Sequence, residues 1–346
     1  MSDRVAFRTT EDVKKYRVDK DRLFSATHDE IYGGATADVY FVRTQEILER
    51  EGKADTVVTA EIFPSRRGIM AGTPECLRLL KGLPVEVWAV EEGEGFEEKE
   101  TLVRITGPYS AFGPYETALL GILASSCGWA TAARECKEAV PDRPVICFGA
   151  RHIHPAVAPA MERAALVGGV DGAACILGAK LAGLEPVGTI PHALVLIIGD
   201  TVKAAVAYNE YMPKDAPRTI LVDTFRDEAE EALRVAGVLG KDLSGIRLDT
   251  PSERGGVTEA LVREVRARLD QAGFQHVKIF VSGGLTPERL PRLAQAGADA
   301  FGVGSYISAA KPIDMTMDIK AIEGRPIAKR GRIPGPIHNP KLKKML

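Results

Sequence analysis

Two glycine bends stand at the ends of apolar runs, Ser282-Gly283-Gly284-Leu285 and Gly302-Val303-Gly304-Ser305. Glycine lets a backbone approach an anion closely, and free N–H groups at a helix start donate to it. One such bend is weak evidence; two on the last strands of an α/β chain suit a phosphate group. Asp223 and Asp249 also end apolar runs. As a pair they suit Mg2+, which keeps several waters and takes oxygens from substrate phosphates. The plainer reading is that each accepts hydrogen bonds from nearby main-chain amides. Arg247 shares a strand face with Asp249, and its planar fork can grip a carboxylate or phosphate through two bonds. His192 follows the turn Gly188-Thr189-Ile190-Pro191, where a ring nitrogen could act as nucleophile or proton carrier, although a histidine is more often structural. His152 and His154 form an HxH pair without a third metal ligand at matching spacing. Arg151 beside them is the better anion ligand.

These residues need elements that hold them. From about Tyr115 a long helical pattern, YETALLGILASSCGWATAARECKEAV, leads into alternating strands and helices. The expected strands are RPVICFGA (143–150), AACILGA (173–179), EPVGTI (185–190), RTILVDTF (218–225), GIRLDT (245–250), VKIFVSGG (277–284) and DAFGVGS (299–305). Near-continuous apolar runs separated by amphipathic ones imply right-handed βαβ units and a parallel sheet covered on both faces. Strand after strand stops on a small or reactive residue, which favours a (β/α) barrel over an open sheet, since a barrel gathers those ends around one mouth.

The first third is mixed. VVTAEIF (57–63) and VEVWAV (85–90) alternate as strands do, and TPECLRLLKG (73–82) reads as a helix closed by glycine. The glutamate-rich stretch 86–100 reads as a solvated hairpin tip. After Ala310, DMTMDIKAIEGRPIAKR reads as a hairpin returning to this first domain, and the basic stretch 319–346 is expected to fray. The domain reading is therefore 1–112 with 313–346, an α+β domain, and 113–312, the barrel.

Composition narrows the function classes. With 346 residues, 45% hydrophobic and 27% charged, the chain can bury a core without disulfide or metal staples. Its 45 basic against 47 acidic side chains speak against a nucleic-acid coat or a polybasic membrane binder. No apolar stretch reaches membrane-spanning length, and residues 1–20 show no signal-peptide pattern. The five cysteines are odd in number and contain no CxxC pair, so they read as small buried residues in a reducing cytoplasm; a catalytic thiol is the sharper alternative.

FGARHIHPAV, DGAACILGAKLAG, EPVGTIPHAL, ILVDTF, IRLDTPSERGG, FVSGGL and AFGVGSYISAAKP together resemble the nicotinate phosphoribosyltransferases, especially the short archaeal and bacterial type. The resemblance begins at ATADVYFVRT (35–44) and runs to about Gly331. It implies the type II phosphoribosyltransferase fold: an irregular parallel (β/α) barrel beside an N-terminal α+β sandwich domain, in dimers or higher oligomers with shared active sites. It also implies roles. Tyr40 reaches the nicotinate ring from a neighbouring subunit, and Phe148 stacks on its other side. Thr189 and Arg247 hold nicotinate. His192 is phosphorylated by ATP, and Ser252, Ser282, Gly283, Gly284, Gly304 and Ser305 bind the phosphoribosyl group. One departure stands out: His152 occupies the place of the family's second arginine. No cysteine follows Cys175, so the cysteine-rich zinc module of some short members is not expected.

The expected reaction joins nicotinate to phosphoribosyl pyrophosphate in NAD salvage, giving nicotinate mononucleotide and pyrophosphate. Mg2+ would sit near Asp223 and Asp249, and ATP would act through His192, with Asp223 orienting the imidazole. Quinolinate phosphoribosyltransferase, which acts on a dicarboxylate, is the enzyme alternative. A non-catalytic phosphate-binding barrel is the alternative of another class.

Overall fold

The computed structural model describes residues 6–19 and 21–346. Part of the signal-peptide reading rests on residues 1–5 and 20 and lies outside the described residues. Residues up to Ala130 together with Lys311–Leu346 form one unit, and Thr131–Ala310 form the other. The division falls inside the helix Glu116–Ala139. None of the described helices is long and apolar enough to cross a membrane.

After the helices Thr10–Lys15, His28–Tyr32 and Val39–Arg50, the first unit carries β1 (Val57–Pro64), β2 (Gly68–Ile69), β3 (Glu86–Ala89), β4 (Gly95–Phe96) and β5 (Val103–Pro108). Alternation in β5 buries Val103 and Ile105 against Leu79, Leu80, Leu119 and Leu123, the apolar stripes of the helices Thr73–Leu80 and Glu116–Ala139. The glutamate-rich stretch runs along β3 and then forms the mostly exposed connection between the antiparallel strands β3 and β5, the solvated hairpin tip expected, with one short pairing added. Its β4 pairs antiparallel with β2.

The second unit carries β6 (Val145–Cys147), β7 (Gly172–Ala173), β8 (Thr219–Leu221), β9 (Gly245–Leu248), β10 (Lys278–Ser282) and β11 (Ala300–Val303). They form one parallel sheet in the order β7-β6-β11-β10-β9-β8. One face presents Ile246, Leu248, Ile279, Val281, Phe301 and Val303, all fully buried. Arg247, Phe280, Ser282 and Gly302 take the other face. This is an α/β barrel, and an irregular one. EPVGTI forms no strand: Pro186 has no N–H to donate, and only the Val187 N–H reaches across, to the Ala173 carbonyl at 2.9 Å. AACILGA is likewise only partly strand, because Ile176–Leu181 is helical. A short apolar run does not by itself distinguish the two states.

The chain then returns to the first unit as β12 (Met315–Ile322), β13 (Arg325–Pro326) and β14 (Lys343–Lys344), completing the order β13-β12-β1-β5-β3-β14. The hairpin and its return were expected; the ordered tail was not. Leu342 is buried in the core, and β14 adds an edge strand to β3. Lys341, Lys343 and Lys344 meet Glu100, Glu91 and Glu86 at 3.0, 2.5 and 2.7 Å. Exposed ion pairs contribute only about 0–1 kcal/mol each, so the ladder and Leu342 anchor the tail while the charges set which edge it takes.

Glu116, at the start of the long helix, is half-buried, and its carboxyl is pushed up to about 7, first by burial and then by Asp318, with Lys329 opposing. The folded state therefore holds a proton that the unfolded chain releases from about pH 4.5, and stability falls as pH rises from there to about 7. Partial exposure discounts the full linkage to about 1–2 kcal/mol. Glu116→Gln is expected to flatten the pH dependence of the unfolding midpoint by that amount between pH 5 and 8, read by denaturant melts; an unchanged slope would sink the assignment.

Candidate active site at the barrel mouth

Side chains close the barrel where the backbone ladder does not. The turn after the irregular segment 185–190 ends in Pro191, which precedes the helix His192–Ile198. That puts His192 in the first turn, where its Nε2 lies 3.1 Å from Asp223 Oδ1, just past β8. Asp223 Oδ2 accepts the Asp249 backbone N–H at 3.1 Å. Asp249 Oδ2 accepts from Arg247 Nη2 at 3.1 Å, and its Oδ1 accepts from the Ser282 hydroxyl at 2.8 Å. Arg247 Nη1 donates to Thr189 Oγ1, returning to the irregular segment. Residues from four successive parts of the barrel thus form one connected network.

Its electrostatics follow from burial. The Asp223 side chain is wholly buried, and its carboxyl is raised above the usual range by desolvation; His192 opposes this and the Asp249 carboxylate adds to it. The imidazole is held in one orientation, with Nε2 toward the carboxylate and Nδ1 on the other side of the ring. The His192 side chain is 39% exposed, so the ring reaches solvent. Arg247 is buried, yet its Nε has no partner among the described residues. A buried unpaired N–H costs about 1–3 kcal/mol, a cost that a bound acceptor would remove.

The glycine bends are built as anion loops need. Gly283 and Gly284 have φ of +93° and +59°, which favour glycine, and a Cβ on Gly283 would crowd Asp249 Oδ1 at 3.2 Å. Gly304 packs against the His152 ring and the Phe148 carbonyl, both 3.0 Å from where a Cβ would sit. Ser305 is exposed and starts the short helix Ser305–Ser308. Ser252 is exposed too, and its hydroxyl bonds the adjacent Glu253. Arg151 is exposed in the turn after β6.

Other candidates are not members of this hydrogen-bonded network. Tyr40 lies on the helix Val39–Arg50 of the other unit, 55% exposed, with its hydroxyl donating to Asp38 at 3.3 Å. His154 Nδ1 accepts the Ala156 N–H at 3.1 Å, a local turn bond rather than part of a ligand set. No group of three His, Cys, Asp or Glu suited to a metal occurs among the described residues. Four of the five cysteines are buried, and burial pushes the Cys127 and Cys136 thiols up to about 12, far from a reactive thiolate.

Sequence reasoning missed Glu162. It is fully buried on the helix Ala158–Gly168 and accepts N–H groups from Cys175 at 2.6 Å and Ala150 at 3.2 Å. One carboxylate thereby ties together the loops that follow β6 and β7. The available signal was a lone acid on the face of Ala158, Met161 and Ala165, where a charge is tolerated only with partners.

A parallel barrel with these strand-end residues at one mouth defines the type II phosphoribosyltransferase fold. The chain belongs to the quinolinate phosphoribosyl transferase family: that family's N-terminal domain matches residues 38–127 and its C-terminal domain residues 129–318. The crystal structure of nicotinate-nucleotide pyrophosphorylase from Pyrococcus furiosus superposes with a TM-score of 0.87 at 46% identity, covering 91% of this chain and 82% of that one. A nicotinate phosphoribosyltransferase of Mycobacterium tuberculosis is 29% identical over 84% of this chain, and one of Bacillus subtilis is 31% identical over 64%. This chain spans 66% and 45% of those two proteins' lengths.

Proposed function

We propose that the protein is a nicotinate phosphoribosyltransferase of NAD salvage, coupled to ATP through His192. The observation that carries this reading is the network from His192 through Asp223 and Asp249 to Arg247 and Thr189. It links a partly exposed imidazole, through Asp223 and Asp249, to a guanidinium with one unused buried donor.

Arg247 with Thr189 would hold the single carboxylate of nicotinate, and the Phe148 ring would lie against the flat base. The ring nitrogen then attacks the anomeric carbon while the bond to pyrophosphate breaks, through a transition state with oxocarbenium character. Positioning and charge stabilisation are the protein's main tasks in such a displacement. The bends at Gly283, Gly284 and Gly304 with Ser282 and Ser305 suit the 5′-phosphate, Arg151 suits the pyrophosphate, and Ser252 adds a hydroxyl near the sugar. Asp223 and Asp249 offer only oxygens and repel one another, a donor set that fits Mg2+, which when bound would neutralise pyrophosphate charge. For ATP coupling, His192 Nδ1 attacks the γ-phosphorus, ADP leaves, and Asp223 accepts the hydrogen bond of the charged ring. Tyr40 would complete the site from a second copy in a homodimer or higher oligomer, in the cytoplasm.

The matched family's own name favours a second reading, quinolinate as substrate. A second carboxylate needs a second available guanidinium. Arg254 is paired with Asp227 and Glu228, and Arg289 donates to the Gly284 and Val257 carbonyls. Arg151 is then the candidate left for it.

Pyrophosphate release is the test, measured with nicotinate, nicotinamide and quinolinate, each with and without ATP. Nicotinate alone is expected to serve, faster with ATP. Turnover of quinolinate with CO2 release would replace the proposal, and no release with any acid would leave a phosphate-binding barrel.

A further inference from the structure

Phe280 lies on the inward face of β10, one alternation below Ser282, and is only half-buried, whereas its neighbours Ile279 and Val281 are fully buried. The Phe148 ring stacks on it with centroids 5.7 Å apart and planes inclined by 26°. Two features make this pairing more than incidental packing. First, Phe148 directly follows β6 and Phe280 lies in β10, and β11 runs between those two strands. The rings meet because β11 carries Gly302 there: a Cβ would lie 2.5 Å from Phe148 Cε2 and 3.0 Å from Phe280 Cε1. Second, on its other side Phe280 is the register partner of Arg247 in β9, the guanidinium with the unused Nε. An aromatic shelf therefore runs across the barrel interior from Phe148 over Gly302 to Phe280 and ends against Arg247.

We propose that Phe280 is a positioning residue for the pyridine base. By stacking on Phe148 through the gap left by Gly302, it fixes the plane of that ring and its separation from Arg247, and so sets which flat carboxylic acid fits between them. This rests on the proposed phosphoribosyl transfer to a pyridine carboxylate. An offset stack of this kind is a preferred aromatic geometry, and it is held at little entropic cost because each ring has few rotatable bonds. Phe280 itself contributes no charge and no proton, so its effect belongs in base affinity and selectivity rather than in phosphoribosyl binding.

The test compares Phe280→Ala and Phe280→Leu with the wild-type protein in the pyrophosphate-release assay, using whichever pyridine carboxylic acid the wild type turns over. For Phe280→Ala, the KM for that acid is expected to rise about tenfold while the KM for phosphoribosyl pyrophosphate stays within about twofold. The ratio of kcat/KM for a ring-methylated acid to that for the parent acid should rise with it. Phe280→Leu keeps most of the bulk but has no flat face, and is expected to raise the KM for that acid about fivefold while the KM for phosphoribosyl pyrophosphate stays within about twofold. An unchanged base KM in the leucine variant would overturn the proposal, as would equal rises in both KM values, so that variant tests the idea even if the alanine variant fails to fold. A wrong choice of base appears in the wild-type measurements instead, so the two failures are separable.

Discussion

Replacing Arg247 with alanine is expected to raise the KM for nicotinate by about 10- to 100-fold, the loss of a buried, charge-assisted carboxylate contact worth a few kcal/mol. The KM for phosphoribosyl pyrophosphate should move far less. Arg247 donates to Thr189 through one Nη and to Asp249 through the other, leaving Nε without a partner. Removing the side chain deletes the donor and also leaves Asp249 held by Ser282 and its own surroundings, so some loss of stability is expected alongside. Arg247→Lys separates the two effects. A lysine restores a positive charge beside Asp249 but cannot reproduce a planar fork reaching two partners at once, so base binding should stay weak while stability recovers. Initial-rate kinetics in both substrates with a thermal melt of each variant decide it. A nicotinate KM unchanged in both variants would remove Arg247 from the base site.

His192→Ala is expected to abolish stimulation by ATP while leaving basal phosphoribosyl transfer measurable. The effect is expected to be close to all-or-none, because among the described histidines only His192 bonds a carboxylate of this network. With Nε2 held by Asp223, Nδ1 is the position expected to take the phosphate. Labelling with ATP carrying a radioactive γ-phosphate should give an acid-labile phosphoprotein in the wild type and none in the variant. Asp223→Asn is the companion, keeping the shape while removing the charge that steadies the imidazolium. It should slow phosphorylation without eliminating it. Retained ATP stimulation in His192→Ala would end the phosphohistidine mechanism.

The site was legible in the sequence to the extent that strand ends were. Asp223, Arg247, Asp249, Ser282 and the glycine bends follow apolar runs long enough to declare strands, and a parallel sheet sends all such ends to one mouth. The irregular segment was misread as a strand because EPVGTI has the right residue types, whereas Pro186 deprives the ladder of a donor. The tail was misread as frayed because charge was counted without its partners, the glutamates at the β3 edge and the buried Leu342.

By itself the amino-acid order determined most of the alternation of strands and helices, the residues at most strand tips and the positions of the two glycine bends, of which the one at Gly283-Gly284 takes positive φ. All of these rest on local geometry: a two-residue period, a helical period and the conformations open to one residue. Which tips touch was decided only by the tertiary structure. The sheet runs β7-β6-β11-β10-β9-β8, so Phe148 meets Phe280 across Gly302, and Thr189 reaches Arg247 over a gap the backbone leaves open. Burial was decided there too. Asp223 is shifted, and Glu162 holds two loops together, because folding removes water from carboxylates whose neighbours come from distant parts of the chain.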